Sequence, residues 1–446
     1  MHKRLRTVVV AALMAITVTA ALAGCSSSGS TSSGSGNASA VDAALKKGGT
    51  ITYWSWTPSA KAQVAEFMKK YPKVTVKVVN AGTGGDEYIK LQNAIKAGSG
   101  APDVAQIEYY AMPQFALAGS LTDLTQYGFG SLKNNYTSGT WGSVDLNGKL
   151  YGLPQDSGPM AMFYNKKVFD KYGLAVPKTW DEYIAEAKKL HAADPSAFIT
   201  SDSGDAGFTS SMIWQAGGKP FVSDGTKVTV NLQDEGSKKW ANTWNTLVAN
   251  KLLSPTPGFS DDWYKQLAGG QIVTQITGAW FPGILEGSVA AGSGDWRVAP
   301  IPTYDGTKAV TAENGGGGQS VLTQSKNQAL AAGFVKYLNS SDASVNTFLK
   351  LGGFPSTTAT LKSASFLDTK PDYFGNQPIN TVLTDASSSV RPGWAFLPFQ
   401  VYANSIYADT MGQAYQNNSD LNVGLKAWQA AIVKYGNQQG FTVTSK

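Results

Sequence analysis

The chain has 446 residues, of which 42% are hydrophobic and only 15% charged, with 37 Lys plus Arg, 31 Asp plus Glu, 2 His and 1 Cys. That hydrophobic share excludes intrinsic disorder, and the length implies two or three domains, each able to bury its own core. One Cys excludes an intrachain disulfide and a thiolate metal cluster, and two His exclude a His-rich zinc site, so neither a metal nor a cofactor is expected.

Lys3, Arg4 and Arg6 precede an apolar stretch from Thr7 to Ala23, the order of a secretory signal peptide over residues 1–24. Leu22-Ala23-Gly24-Cys25 resembles a bacterial lipobox, which makes the lone Cys25 a lipid anchor that would tether the chain to the cell membrane from outside. The Ser, Gly, Thr, Asn and Ala run that follows cannot build a core, and residues 25–46 are expected to form a flexible linker. Beyond the signal, Arg297 and Arg391 are the only arginines, so no basic stripe exists for nucleic acid.

Thr50 to Trp56 is β-branched and aromatic and reads as a strand; Val64, Phe67, Met68 and Tyr71 then recur at helical spacing before Pro72. Val74 to Val78 alternates as a second strand, Tyr88, Leu91 and Ile95 mark a helix, and Asp103 to Glu108 forms a third strand. This alternation predicts βαβ units on a parallel sheet. Asn147-Gly148 predicts a hairpin, Met160 to Tyr164 a strand, and Thr179 with Glu182 a capping box opening a helix. Trp240, Ala241, Trp244, Leu247 and Val248 form a core stripe, Ile272 to Thr277 a strand, and four further helices are expected between Ala329 and Tyr435.

No P-loop and no G-x-S-x-G occurs, and His191 beside Lys188 and Lys189 has no triad setting. Ser201-Asp202-Ser203-Gly204-Asp205 lacks the spacing of a calcium loop and reads as a polar loop. Glu108 and Asp156 both follow apolar runs. They are compatible with acid and base roles in glycoside hydrolysis, or with holding sugar hydroxyls without catalysis.

Ligands of open parallel sheets sit beyond the carboxyl ends of strands. Trp56 and Thr57 end the first strand, Glu108, Tyr109 and Tyr110 the third, and Trp280 follows another. Flat aromatic faces beside polar edges are what a sugar ring requires.

The run Tyr151-Gly152-Leu153-Pro154-Gln155-Asp156-Ser157-Gly158-Pro159-Met160, continuing to Lys166 and followed by Pro177 to Glu182, resembles the signature of family 1 extracellular solute-binding proteins. These are the maltose-binding-protein-like receptors of ABC sugar importers. Ala118 to Leu124, Thr277 to Trp280 and Gly352 to Pro355 extend the resemblance, while Gln155 stands where the family more often has an apolar residue. The resemblance implies an α/β, two-lobed periplasmic-binding-protein-like fold with a ligand cleft between lobes joined by hinge segments. It implies an N-terminal lobe of residues 47–155 plus 303–342 and a C-terminal lobe of 156–302 plus 343–446, with crossings near 154–159, 297–302 and 339–345. It places Trp56, Thr57, Glu108, Tyr109, Asp156, Trp280, Gly316, Gly317, Arg391 and Trp394 at the ligand. The expected protein is a monomeric, non-enzymatic receptor for an uncharged sugar or oligosaccharide, working with ABC permease subunits and a separate ATPase. A glycoside hydrolase, or a receptor for a polyamine, peptide or metal complex, is the alternative.

Overall fold

A computed structural model describes residues 38–446; the predicted signal peptide and Cys25 lie outside them. The expected linker ends earlier than residue 46. Ala38–Lys47 is a helix that buries Val41 and Leu45. Its apolar positions pack beside Leu330 and Phe334 in the first core, so burial overrides the loop-like composition just before it.

The first sheet has the order Val74–Val79, Gly49–Trp54, Val104–Glu108, Gly317–Val321, Leu153–Pro154. Its first three strands are parallel, as the βαβ spacing predicts. Gly317–Val321 enters antiparallel, with Gly317 opposite Glu108 and Ser320 opposite Ala105. The second sheet departs from a parallel pattern: Met160–Asn165 lies between Thr274–Gly278 and Trp296–Pro300, antiparallel to both. A hairpin of Phe221–Asp224 and Lys227–Val230 is completed by the C-terminal strand Thr442–Ser445.

The cores follow the predicted periodicities. Trp240 and Trp244 are fully buried, and Trp180 lies in the first turn of a helix whose capping box is formed by Thr179 and Glu182. Asn147-Gly148 joins the short strands Asp145–Leu146 and Lys149–Leu150.

The lobes are joined by three strand-like segments packed side by side. Residues 154–159 form one of them. The second is not 297–302, because Trp296–Pro300 is paired inside the second sheet; the passage comes at 313–317, where Pro159 bridges Glu313 and Asn314 N–H donates to Gly158 O at 2.7 Å. The third is not 339–345 either. Gln328–Ser340 and Asp342–Lys350 both remain on the first lobe, where Gln63 Nε2 donates to Ser344 Oγ at 2.8 Å and Thr347 Oγ1 to Glu66 Oε1 at 2.6 Å. The passage occurs at 353–356, where Asp156 bridges Pro355.

A buried polar network ties these segments to the first sheet. Gln319 Nε2 donates to Tyr53 Oη at 3.0 Å and to Gln155 Oε1 at 2.8 Å, and its own Oε1 accepts from Asn339 Nδ2 at 2.6 Å. This gives Gln155 a physical reason at a position where an apolar residue is more usual: it satisfies Gln319. Removing one member of such a network strands its partners at about 1–3 kcal/mol each. Gln319→Leu, which removes a partner from three groups while Asn339 Nδ2 keeps Leu153 O, should therefore lower unfolding free energy by about 2 kcal/mol or more, and Gln155→Leu by about 1 kcal/mol. Urea denaturation measures both, and equal losses would contradict the network.

Candidate functional site

The first strand ends in a turn built around one acceptor. Gln106 Oε1 accepts from Ser55 Oγ at 2.6 Å, Thr57 Oγ1 at 2.7 Å, and the N–H groups of Trp56 and Thr57 at 3.3 Å each. Thr57 thus spends its hydroxyl on the turn, and the turn aims the half-buried Trp56, whose ring meets Tyr88 edge-on at 6.2 Å. Tyr88 Oη in turn donates to Glu108 Oε2 at 3.1 Å and accepts from Glu108 N–H at 2.8 Å. Trp56, Tyr88, Glu108 and Tyr110 form one wall at the strand ends.

The facing wall comes from the second lobe. Asp205 caps the helix Ala206–Gln215, accepting from Phe208 N–H at 2.6 Å. Trp280 follows the Thr274–Gly278 strand, and its Nε1 donates to Asn314 O at 2.8 Å. Asn314 also accepts from Thr277 Oγ1 and donates to Ser211 Oγ, so a hinge residue holds both parts of this wall.

Burial pushes the Glu108 carboxyl up to about 7, countered by hydrogen bonds from Tyr88 and Tyr110 and reinforced by the charges of Asp156 and Asp205. Asp205 remains open to solvent while enclosing protein atoms raise its pKa through desolvation. The charge of Asp205 on the second lobe thus adds to the rise at Glu108 on the first.

The sequence-predicted residues divide between two faces of the hinge, because the chain leaves the strand at Glu108 in a turn closed by Ala111 N–H donating to Glu108 O at 3.0 Å. Glu108 and Tyr110 face the cleft. Tyr109 is buried between them on the other side, its Oη donating to Asp156 O at 2.7 Å. Gly316, at φ +93°, lies under that ring; a Cβ there would stand 2.9 Å from Tyr109 Cε2. A Cβ on Gly317 would meet Ile107 O at 2.9 Å, so both glycines permit close backbone packing within the hinge. Asp156 also serves the hinge, its Oδ1 accepting from Gly317 N–H at 2.7 Å, which leaves the Glu108–Asp156 acid-base pairing without geometric support.

Arg391 and Trp394 do not join Trp56 and Trp280. They line a separate interlobe groove of about 1340 Å3 with Tyr109, Tyr136, Glu313 and Trp214, and none of Trp56, Glu108, Asp205 or Trp280 contributes to it. Trp394 stacks on Trp214 at 5.3 Å and 8°, and Trp214 Nε1 donates to Arg391 O at 2.6 Å. Loop sequence carries no record of which face of a hinge a loop will cover. Asp205, Asn314 and Phe259, which stacks on Trp280 at 6.1 Å and 28°, escaped the sequence reading. Only Asp205 left a signal there, as an N-cap residue ahead of Ala206-Gly207-Phe208. Among the described residues no three His, Cys, Asp or Glu side chains gather to hold a metal ion.

Several buried carboxyls share the raised pattern, mainly through desolvation: Glu87 to about 8, Glu313 to about 7, Asp156 and Asp202 to about 6. Their folded pKa values exceed the unfolded ones, so the folded chain retains protons the unfolded chain has released. Stability should fall as pH rises from about 5 to about 8. Thermal unfolding across that range tests this, with a shallower slope expected for Glu108→Gln; a flat or rising profile in the unmodified chain would contradict the placement of these groups.

The profile of bacterial extracellular solute-binding proteins matches residues 53–345. Among solved structures, the ABC transporter associated binding protein from B. animalis subsp. lactis Bl-04, in complex with beta-1,6-galactobiose, is 46% identical, covering 89% of this chain and 99% of that one at a TM-score of 0.84. The galacto-N-biose-/lacto-N-biose I-binding protein of Bifidobacterium longum, in complex with lacto-N-biose, is 28% identical over 89% of this chain and 99% of that one, at a TM-score of 0.78. The arabinooligosaccharide-binding protein of Bacillus subtilis (strain 168) is 27% identical, with 79% of this chain and 85% of that protein covered. With its α/β periplasmic-binding-protein fold, the chain belongs to the bacterial extracellular solute-binding protein family.

Proposed function

We propose that this chain is the sugar receptor of an ABC importer and that it captures a short galactose-containing oligosaccharide, of the β-1,6-galactobiose type, between Trp56 and Glu108 on one lobe and Asp205 and Trp280 on the other. The observation that carries this reading is the pairing of an aromatic plate with a carboxylate on each wall. A pyranose ring lays its C–H face on indole, while carboxyl oxygens accept its hydroxyl protons. The beta-1,6-galactobiose complex of the 46% identical relative supports the choice of sugar.

The chain is a binding protein and not an enzyme, as its family implies. In this reading sugar replaces water between the walls, its contacts to both lobes favour closure about the three hinge segments, and a separate permease receives the closed form. Cys25 would carry the lipid that keeps the receptor at the membrane, so Cys25→Ala should shift the protein from the membrane fraction into the medium; unchanged fractionation would remove the anchor from the account.

Calorimetric titration with β-1,6-galactobiose should show binding, and ligand at a hundred times its Kd should add about 2.7 kcal/mol of stability. Trp56→Ala and Trp280→Ala should each weaken binding by about tenfold or more. Loss of thermal stability in step with affinity would point to core roles, and no binding by any galactoside would overturn the sugar assignment.

A further inference from the structure

The short helix Gln400–Ser405 serves both lobes at once. It is fixed to the second: Phe399 and Ala403 lie in that lobe's core, Trp428 Nε1 donates to Ala403 O at 2.7 Å, and the buried Gln400 accepts from Leu397 N–H through Oε1 at 3.1 Å. Val401 faces the other way, because two positions along a helix turn a side chain by about 200°. Although only 9% exposed, it is buried in the core of the first lobe, and the half-buried Phe396 packs against that same core. The helix itself lies against Gly85–Ala97 of the first lobe.

Both partners of this contact are tied to the cleft walls. Gly85–Ala97 carries Tyr88, which donates to Glu108. Gln400–Ser405 leads into Tyr407, whose hydroxyl pairs with Thr209 Oγ1 on the helix that Asp205 caps, and a Cβ on Gly204 would stand 3.5 Å from the Tyr407 ring. The apolar contact is made across the lobes and not within either, so it exists only while they are together. Parting the two helices returns Val401 and Phe396 to water, which gives closure a driving force that no ligand supplies.

We propose that Val401 is a positioning residue for solute capture: with Phe396 it forms an apolar latch between the lobes, which draws the cleft together before solute arrives and slows release afterwards. The latch raises the share of chains already in the binding-competent form, and apparent affinity scales with that share. Its effect on sugar affinity rests on the sugar-receptor reading above, whereas its effect on lobe separation does not.

Small-angle scattering and calorimetric titration of the lipid-free mature protein test this in the unmodified chain and in Val401→Ser, Val401→Ala and Val401→Ile. Val401→Ser should enlarge the radius of gyration of the sugar-free protein, and saturating β-1,6-galactobiose should restore the unmodified radius. It should also weaken galactobiose about tenfold, mainly through faster release. Val401→Ala should move both quantities less in the same direction, and Val401→Ile should keep them. A lower melting temperature with an unchanged sugar-free radius in Val401→Ser and Val401→Ala would show an ordinary core residue and overturn the latch. An unmodified chain that binds no galactobiose, with the radius still larger in Val401→Ser, would instead overturn the choice of sugar and leave the latch standing.

Discussion

The hydrogen bond from Gly317 N–H to the Asp156 carboxylate is the contact on which both lobes are registered. It joins the first crossing segment to the second where the latter enters the first sheet, and Gly317 O completes the pairing by accepting from Gln155 N–H at 2.9 Å. Once Gly317 is held, the positive φ of Gly315 and Gly316 sets the path of the chain before it. Gly316 lies under Tyr109, Asn314 reaches Trp280 and Ser211, and Glu313 turns to the opposite groove. Buried Gln319 then binds Gln155, Tyr53 and Asn339 at once, so the hinge is anchored by polar groups that cannot be removed singly without cost.

This arrangement separates two spaces that look alike in composition. Both offer Trp and Tyr faces with charged neighbours. At the strand ends Glu108 and Asp205 come from different lobes; the raised pKa of Glu108 records how closely protein surrounds it, whereas Asp205 stays open to solvent. Such a pair disfavours an anion and offers hydrogen-bond acceptors to a neutral polyol. The groove beside Trp394 has Arg391, Lys149 and Lys362 against the single carboxylate of Glu313, which is a different chemical environment.

What could be read from the chain beforehand was mostly local. Helical stripes such as Trp240 with Trp244, the Thr179 capping box and the Asn147-Gly148 hairpin are set by short-range periodicity and turn geometry, and they appear where expected. The antiparallel second sheet did not follow from strand and helix alternation, because pairing direction depends on long connections. The crossing at 313–317 was displaced from expectation because Pro300 and Pro302 look like hinge residues although Pro300 ends a strand of the second sheet. At the site, Trp56, Glu108 and Trp280 stood out as polar-edged residues at strand ends. Asp205 was concealed in a Ser-Gly-Asp loop whose partner lies on the other lobe, and Phe259 gave no sign, since a positive φ in a non-glycine residue leaves no trace in composition.

The central claim is that solute is held between Glu108 and Asp205 against Trp56 and Trp280, on the face of the hinge away from Arg391 and Trp394. A crystal structure of the protein with β-1,6-galactobiose tests it most directly. The account predicts sugar hydroxyls within hydrogen-bond distance of both carboxylates and one ring stacked on Trp280. Sugar seated instead in the groove beside Trp394, with the strand-end cleft holding only water, would contradict it.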